Sequence, residues 1–377
     1  MLLLVAAGAG WFARRVRLPA IVGYLAVGLL VSPFTPGYVA DHNQLELLAD
    51  VGVVLLLFEV GIEVDIGRLR REHGQLLWVA PLQTVITGAV ATVAGLVAGL
   101  PPFGAGALGL GVAMSSSVVI VNITRSRRRT TAPETEEALL GWSVLQDVTG
   151  VSFAIILLAV FGTDARAPLL AIGGLVAFVT IVALSAWLLP LALRALRAEH
   201  DLFLIVSVAS GLALAAAGAF VAGIPLALAA FVAGLAITES TDSAEARRRL
   251  LPFRDLFAVL FFVAIGTLID PDAFVHGLPW LALIIGLVAV AKVGVAYVLA
   301  RVAGLRGSPV QIGIGLGQVG EFSFVLGSTA ATAGAVGQDV YAAILGAVVV
   351  TIVVSSVLVR LVGPRAADIA APSPLST

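Results

Sequence analysis

Asp147, preceded by Gln146, stands inside an apolar run from Leu139 to Val160. Ionising a lone carboxylate in such surroundings is costly, and polar groups kept there at that cost mark ion pathways or proton relays. The chemistry open to it is a competition. Desolvation favours the protonated, neutral carboxyl, whereas a bound monovalent cation favours the ionised one, so proton and cation contend for the same oxygens. Gln146 adds hydrogen-bonding capacity without charge, either orienting the carboxylate or supplying a carbonyl oxygen. Asp147 lies eight residues into the run, about 12 Å at 1.5 Å per residue, too deep for its short side chain to reach the surface.

The other buried charges are few. Lys292, the only lysine, precedes Arg301 by nine residues and lies about 14 Å deep. It has to be neutral, paired or facing a cavity, either compensating charge during transport or bracing a helix end or Asp147. Glu321 is expected to be cement within an interrupted helix or a site residue, and Glu59, nearer a membrane face, to be partly hydrated. Oxygen-rich interruptions occur twice: "LGLGVAMSSSVVIV" carries Ser115, Ser116 and Ser117, and "IGIGLGQVGEFSFVL" carries Gly315, Gly317 and Gly320. Such runs serve close helix packing when alone. At matching positions of two halves they point to unwound crossings, where hydroxyls and freed carbonyls replace part of a cation's hydration shell. The site expected is therefore a monovalent cation at Asp147, with Gln146, Ser115, Ser116 and Ser117. The G-x-G-x-x-G spacing here lacks the preceding strand of a dinucleotide fold, and the sequon Asn122-Ile123-Thr124 falls at a helix end; both are chance. All four histidines lie in loops and no cysteine is present, which argues against a transition metal, and no cofactor is expected beyond the transported ions.

These groups need a scaffold that holds them in lipid. With 60% apolar residues, 12% charged residues and a mean hydropathy of +1.08 over 377 residues, the chain is an all-α polytopic membrane protein. Apolar runs predict about thirteen helices, near 2–13, 18–32, 45–64, 76–100, 104–124, 138–161, 168–193, 202–221, 223–238, 253–270, 278–300, 308–333 and 338–361. The first is short for a crossing, which suggests a truncated or late-assigned start, or a half-helix. Of 22 basic residues, 20 follow odd-numbered runs, which places the N-terminus outside and the C-terminus in the cytoplasm. The chain also repeats. Pro19 and Gly28 match Pro225 and Gly234 at a separation of 206 residues, and Gly61 and Asp65 match Gly266 and Asp270 at 205. An odd shift in helix number inverts the second copy, the plan of secondary transporters. The expected organisation is a membrane transport domain over 1–363, with repeat A about 1–161, a linker helix about 168–193 and repeat B about 202–361, followed by a short cytoplasmic tail, 364–377.

The motifs "LPAIVGYLAVGLLVSP", "LLLFEVGIEVD", "AMSSSVVIV", "VLQDVTGV", "FFVAIGTLIDP" and "GQVGEFSFVL" together resemble the monovalent cation:proton antiporter-2 family, and within it the Kef-type potassium/proton antiporters. The resemblance runs from Arg17 to about Val362 and implies a sodium/proton-antiporter fold, with two crossed discontinuous helices. It further implies a core domain moving against a dimerisation domain, a homodimer in the bilayer, and Gln146 and Asp147 as the ion-binding pair. It favours potassium over sodium and electroneutral exchange. Departures are Glu59 and Val319, where many relatives carry an apolar residue and a glycine, and a chain that stops some fifteen residues after its last helix. Gating by an appended nucleotide-binding domain therefore does not carry over, and a separate cytoplasmic regulatory subunit is a candidate partner; no nucleic acid is expected. The expected location is a bacterial-type cytoplasmic membrane. Competing readings are a sodium-coupled symporter of the same architecture, a non-transporting membrane sensor and, more weakly, an intramembrane enzyme. The last would need a second carboxylate facing Asp147, or a GxSG or HExxH run that the sequence lacks.

Overall fold

The computed structural model describes residues 1–16, 18, 20–35, 42–63, 74–117, 119–120, 131–161, 168–196, 199–237 and 243–362. The arginine-rich stretches at 64–73 and 121–130, the sequon and the tail lie outside the described residues. The fold is all-helical: α1 (Leu2–Arg15), α2 (Ala20–Leu30), α3 (His42–Glu63), α4 (Leu76–Val97), α5 (Pro102–Ala113), α6 (Pro133–Phe161), α7 (Pro168–Ala195), α8 (His200–Ala217), α9 (Leu226–Ile237), α10 (Ser243–Thr267), α11 (Leu278–Val302), α12 (Pro309–Leu316), α13 (Phe322–Thr332) and α14 (Gln338–Val362). Among the described residues, seven helices are long and apolar enough to cross a membrane, and shorter apolar helices include α2, α5 and α13. The chain is an integral membrane protein.

The helices divide into two compact units, Met1–Gly67 with Ile155–Pro271, and Arg68–Ala154 with Asp272–Thr377. In the first, α3 packs along both α9 and α10, and α2 along α10. The contacts are set by glycine. Gly28 of α2 meets Gly266 of α10, and Gly61 of α3 meets Gly234 of α9. In each of these four helices the carbonyl three residues before the glycine (Leu25, Val263, Phe58 or Phe231) lies where a side chain on the facing glycine would begin. Helices in lipid associate largely through such packing, which small residues permit. Gly61→Ala sets a methyl against the Phe231 carbonyl and is expected to cost about 1–3 kcal/mol. Gly8→Ala, in a position with open space around it, is expected to be neutral or better; melting of the two variants in detergent checks the contrast.

Two helices begin earlier than apolarity alone suggests. α6 starts at Pro133 rather than 138, with proline at the first helical position and Glu134 and Glu136 in the first turn, where acids complement the helix dipole. α10 starts at Ser243 rather than 253, so the arginines expected in a loop are helical. Glu245 pairs with Arg248 and Arg249 at helical spacing on this polar first turn. The expectation that Glu59 is partly hydrated is corrected here: it is buried in the first unit, with Arg247 Nε 2.5 Å from Oε1 and Arg254 Nη1 2.8 Å from Oε2. Two guanidinium groups do there what water was expected to do.

In the second unit, α4 packs on α5, α5 on α13, and α14 on α11, α12 and α13. Both oxygen-rich runs are interrupted. α5 ends at Ala113, Met114–Ser116 is non-helical and helix resumes at Ser117; α12 ends at Leu316 and α13 begins at Phe322. Pro102 and Pro309 start their half-helices, the latter behind Ser308, whose hydroxyl accepts from Gln311 N at 3.4 Å.

Candidate ion-binding site

The two interruptions meet, and backbone groups freed by the breaks bind one another. Gly320 N donates to Met114 O at 3.0 Å, and the absent side chain of Gly320 makes room for Ser115. The Gln318 amide clamps Ser116 at both ends, accepting from its N at 3.2 Å and donating to its O at 3.0 Å. The Ser115 hydroxyl donates to Leu316 O at 2.8 Å. From α14, Thr351 Oγ1 accepts from Val319 N at 3.0 Å and Ser355 Oγ donates to Ile314 O at 2.7 Å. Buried backbone in a membrane protein has to be satisfied internally, and these polar side chains accomplish that.

Lys292 belongs to the centre of this arrangement. A π-helical turn, Val288–Lys292, interrupts α11 and ends on it; such turns frequently accompany functional positions. The side chain is wholly buried, and Nζ donates to Met114 O at 2.7 Å and to Gln318 O at 2.6 Å. The ammonium thus lies at the C-terminal end of α5 and just past that of α12, where helix dipoles are negative. Carbonyls expected from the sequence to await a transported cation are held by this resident one. Lys292 also interacts electrostatically with Asp147.

Asp147 of α6 is buried beside the second half of the first broken helix, and the Ser117 hydroxyl donates to its Oδ2 at 2.5 Å. Of the three serines proposed from sequence, Ser117 is the one brought to the carboxylate. Ser115 is spent on the crossing, and Ser116 Oγ accepts from Val119 N at 3.3 Å, capping the resumed helix. Gln146 is also buried; its Nε2 donates to Gln83 Oε1 of α4. The same Gln83 oxygen accepts from Trp142 Nε1 at 3.3 Å, and Gln83 Nε2 donates to Thr87 Oγ1 at 3.0 Å. Gln83, Trp142, Thr87 and Gln318 were not singled out in the sequence, although Gln83 and Gln318 are amides in apolar runs and carry the signal that identified Asp147. Glu321 is buried at the N-cap of α13, where a carboxylate suits the dipole. Glu59 belongs to the other unit, bound to its two arginines.

A buried aspartate and a buried lysine thus adjoin the two crossed helix breaks. The chain matches the family described as the transmembrane sodium/hydrogen exchangers over residues 2–362. It belongs to that family. The chain is 29% identical over 366 residues, 93% of its length, to the putative cation/proton antiporter YbaL of Escherichia coli (strain K12), and spans 65% of that relative. Its fold is that of the sodium proton antiporter MjNhaP1 from Methanocaldococcus jannaschii, with a TM-score of 0.73, 16% identity, and coverage of 96% of this chain and 95% of that one. This sodium/hydrogen exchanger family member therefore carries its polar site within the second of its two units.

Proposed function

We propose that the protein is a secondary active antiporter exchanging a monovalent cation, potassium or sodium, for protons. The observation that carries this is Asp147, a buried carboxylate at the crossing of two broken helices, with the Ser117 hydroxyl on Oδ2 and the Lys292 ammonium in electrostatic range. Proton and cation compete for Asp147, and the binding site opens alternately to each side of the membrane. Two inverted copies, about 1–161 and 202–361, joined by a linker helix, supply the two access states. The N-terminus lies outside and the C-terminus in the cytoplasm of a bacterial-type membrane, and a homodimer is the working unit. The resemblance to the Kef-type antiporters favours potassium, and the single titrating carboxylate of the Gln146-Asp147 pair favours one-for-one electroneutral exchange. No cofactor is required beyond the transported ions. Serine hydroxyls, a carboxylate and amide oxygen suit hard monovalent cations.

The test is exchange in proteoliposomes carrying an internal pH dye, with potassium, sodium, lithium and rubidium added in turn. A dye response driven by potassium or sodium and indifferent to a valinomycin-imposed voltage is expected. Absence of any cation-driven response would remove antiport, and a voltage-driven response would remove electroneutrality.

A further inference from the structure

The Gln146 amide has a donor end and an acceptor end, and which of them faces the ion decides what this residue does. The surrounding hydrogen bonds fix the answer from an unexpected distance. An indole N–H can only donate. Trp142 Nε1 reaches Gln83 Oε1 at 3.3 Å, so the Gln83 group facing it has to be the carbonyl. The indole is fully buried among Leu76, Val79, Ala80, Leu139 and Leu145, which hold it in place. At the other end of Gln83, Thr87 both donates and accepts and imposes no direction. Among the described residues, Trp142 alone therefore sets the polarity of Gln83. Since Gln146 meets the same Gln83 oxygen, it has to present its NH2 there. Its carbonyl oxygen is left over, buried and without a hydrogen-bond partner among the described residues, on the residue adjoining Asp147.

We infer that Trp142, acting through Gln83, locks the Gln146 amide with its carbonyl oxygen presented as a standing ligand for the transported cation. The inference rests on the proposed exchange at Asp147. An amide oxygen binds a cation but is a very poor proton acceptor, so this ligand favours the cation in its competition with the proton. An amide turned the other way would present an N–H donor, which repels a cation, in place of that oxygen. Trp142 and Gln83 are positioning residues: neither is assigned contact with the ion.

The experiment is dye-monitored exchange by the full chain in proteoliposomes, using whichever of potassium or sodium drives the wild type. Cation KM and kcat are measured for the wild type, Trp142→Phe, Gln146→Glu and the double variant, with the cation-induced rise in Tm in detergent as a readout besides flux. Trp142→Phe frees Gln83 to turn, and the cation KM is expected to rise about fivefold, the scale of one neutral hydrogen bond, with a smaller change in kcat. Gln146→Glu places a carboxylate oxygen against Gln83 Oε1, a contact it can satisfy only by holding a proton at the expense of the cation. In that background Trp142→Phe lets Gln83 present its NH2, so the cation KM should fall and the cation-induced Tm rise should grow. This reversal of sign is the signature. Trp142→Phe raising KM in both backgrounds, or in neither, overturns the inference, since a packing defect acts in one direction. If the wild type shows no cation-driven exchange, or Asp147→Asn exchanges like the wild type, the proposed function falls and this inference with it. Normal wild-type exchange, an inactive Asp147→Asn and no sign reversal overturn this inference alone.

Discussion

Asp147→Asn is expected to lower cation-driven proton exchange at least about a hundredfold, the scale seen when a group on which a step depends is removed. Asparagine neither ionises nor exchanges a proton near neutral pH, so both halves of the competition disappear together. The geometry explains why the fold should survive the change. The Ser117 hydroxyl, which donates to Asp147 Oδ2 at 2.5 Å, can donate equally to an amide oxygen of the same shape. The crossing itself is held by Gly320, Gln318, Ser115 and Lys292 through groups that Asp147 does not supply. Loss of flux with a cooperative melting transition that persists at a lowered Tm, because Lys292 loses the charge it interacts with, is the expected pair of results, read by pH dye in proteoliposomes and by thermal melting in detergent. Exchange that persists in the variant would defeat the proposed mechanism.

Lys292→Met should act on the opposite quantity. It removes the ammonium from Met114 O and Gln318 O and deprives Asp147 of the charge it interacts with. Breaking a buried charged contact by deleting one partner costs about 3–5 kcal/mol, chiefly because the remaining groups are left uncompensated. Met114 O retains Gly320 N as a donor, so the carbonyl penalty falls mainly on Gln318. The double variant Asp147→Asn, Lys292→Met separates the two contributions. Recovery of part of the lost Tm is expected, from removing the stranded carboxylate; recovery of none would mean that Lys292 supports the carbonyls alone. Arginine is a poor replacement, because its planar guanidinium is larger than the compact ammonium enclosed between these carbonyls.

Much of this was legible because charge in lipid is conspicuous. Asp147 and Lys292 stood out by cost alone, and the serine and glycine runs by their matched positions. The division of labour among Ser115, Ser116 and Ser117 was not legible, because three adjacent hydroxyls differ only in direction, and direction is set by the break at Met114–Ser116. Gln83 escaped notice because one neutral amide barely changes the hydropathy of α4, and Trp142 because an indole counts as apolar until its N–H needs a partner 59 residues away. The first turns of α6 and α10 were hidden by a search for apolarity, since charged helical turns carry none. Repeat spacing pairs Gly28 with Gly234 and Gly61 with Gly266. It did not say that each glycine touches the other one's counterpart.

That exchange of partners bears on how such a chain can be assembled. Gly28 meets Gly266 and Gly61 meets Gly234, so each close approach joins the early part of the chain to the late part, and none closes within either. A break in the polypeptide anywhere between Gly61 and Gly234 would turn both into contacts between separate molecules without altering either. A half-length ancestor inserted in both orientations would have found its partner through the same glycines, which makes fragment complementation a natural property of this fold.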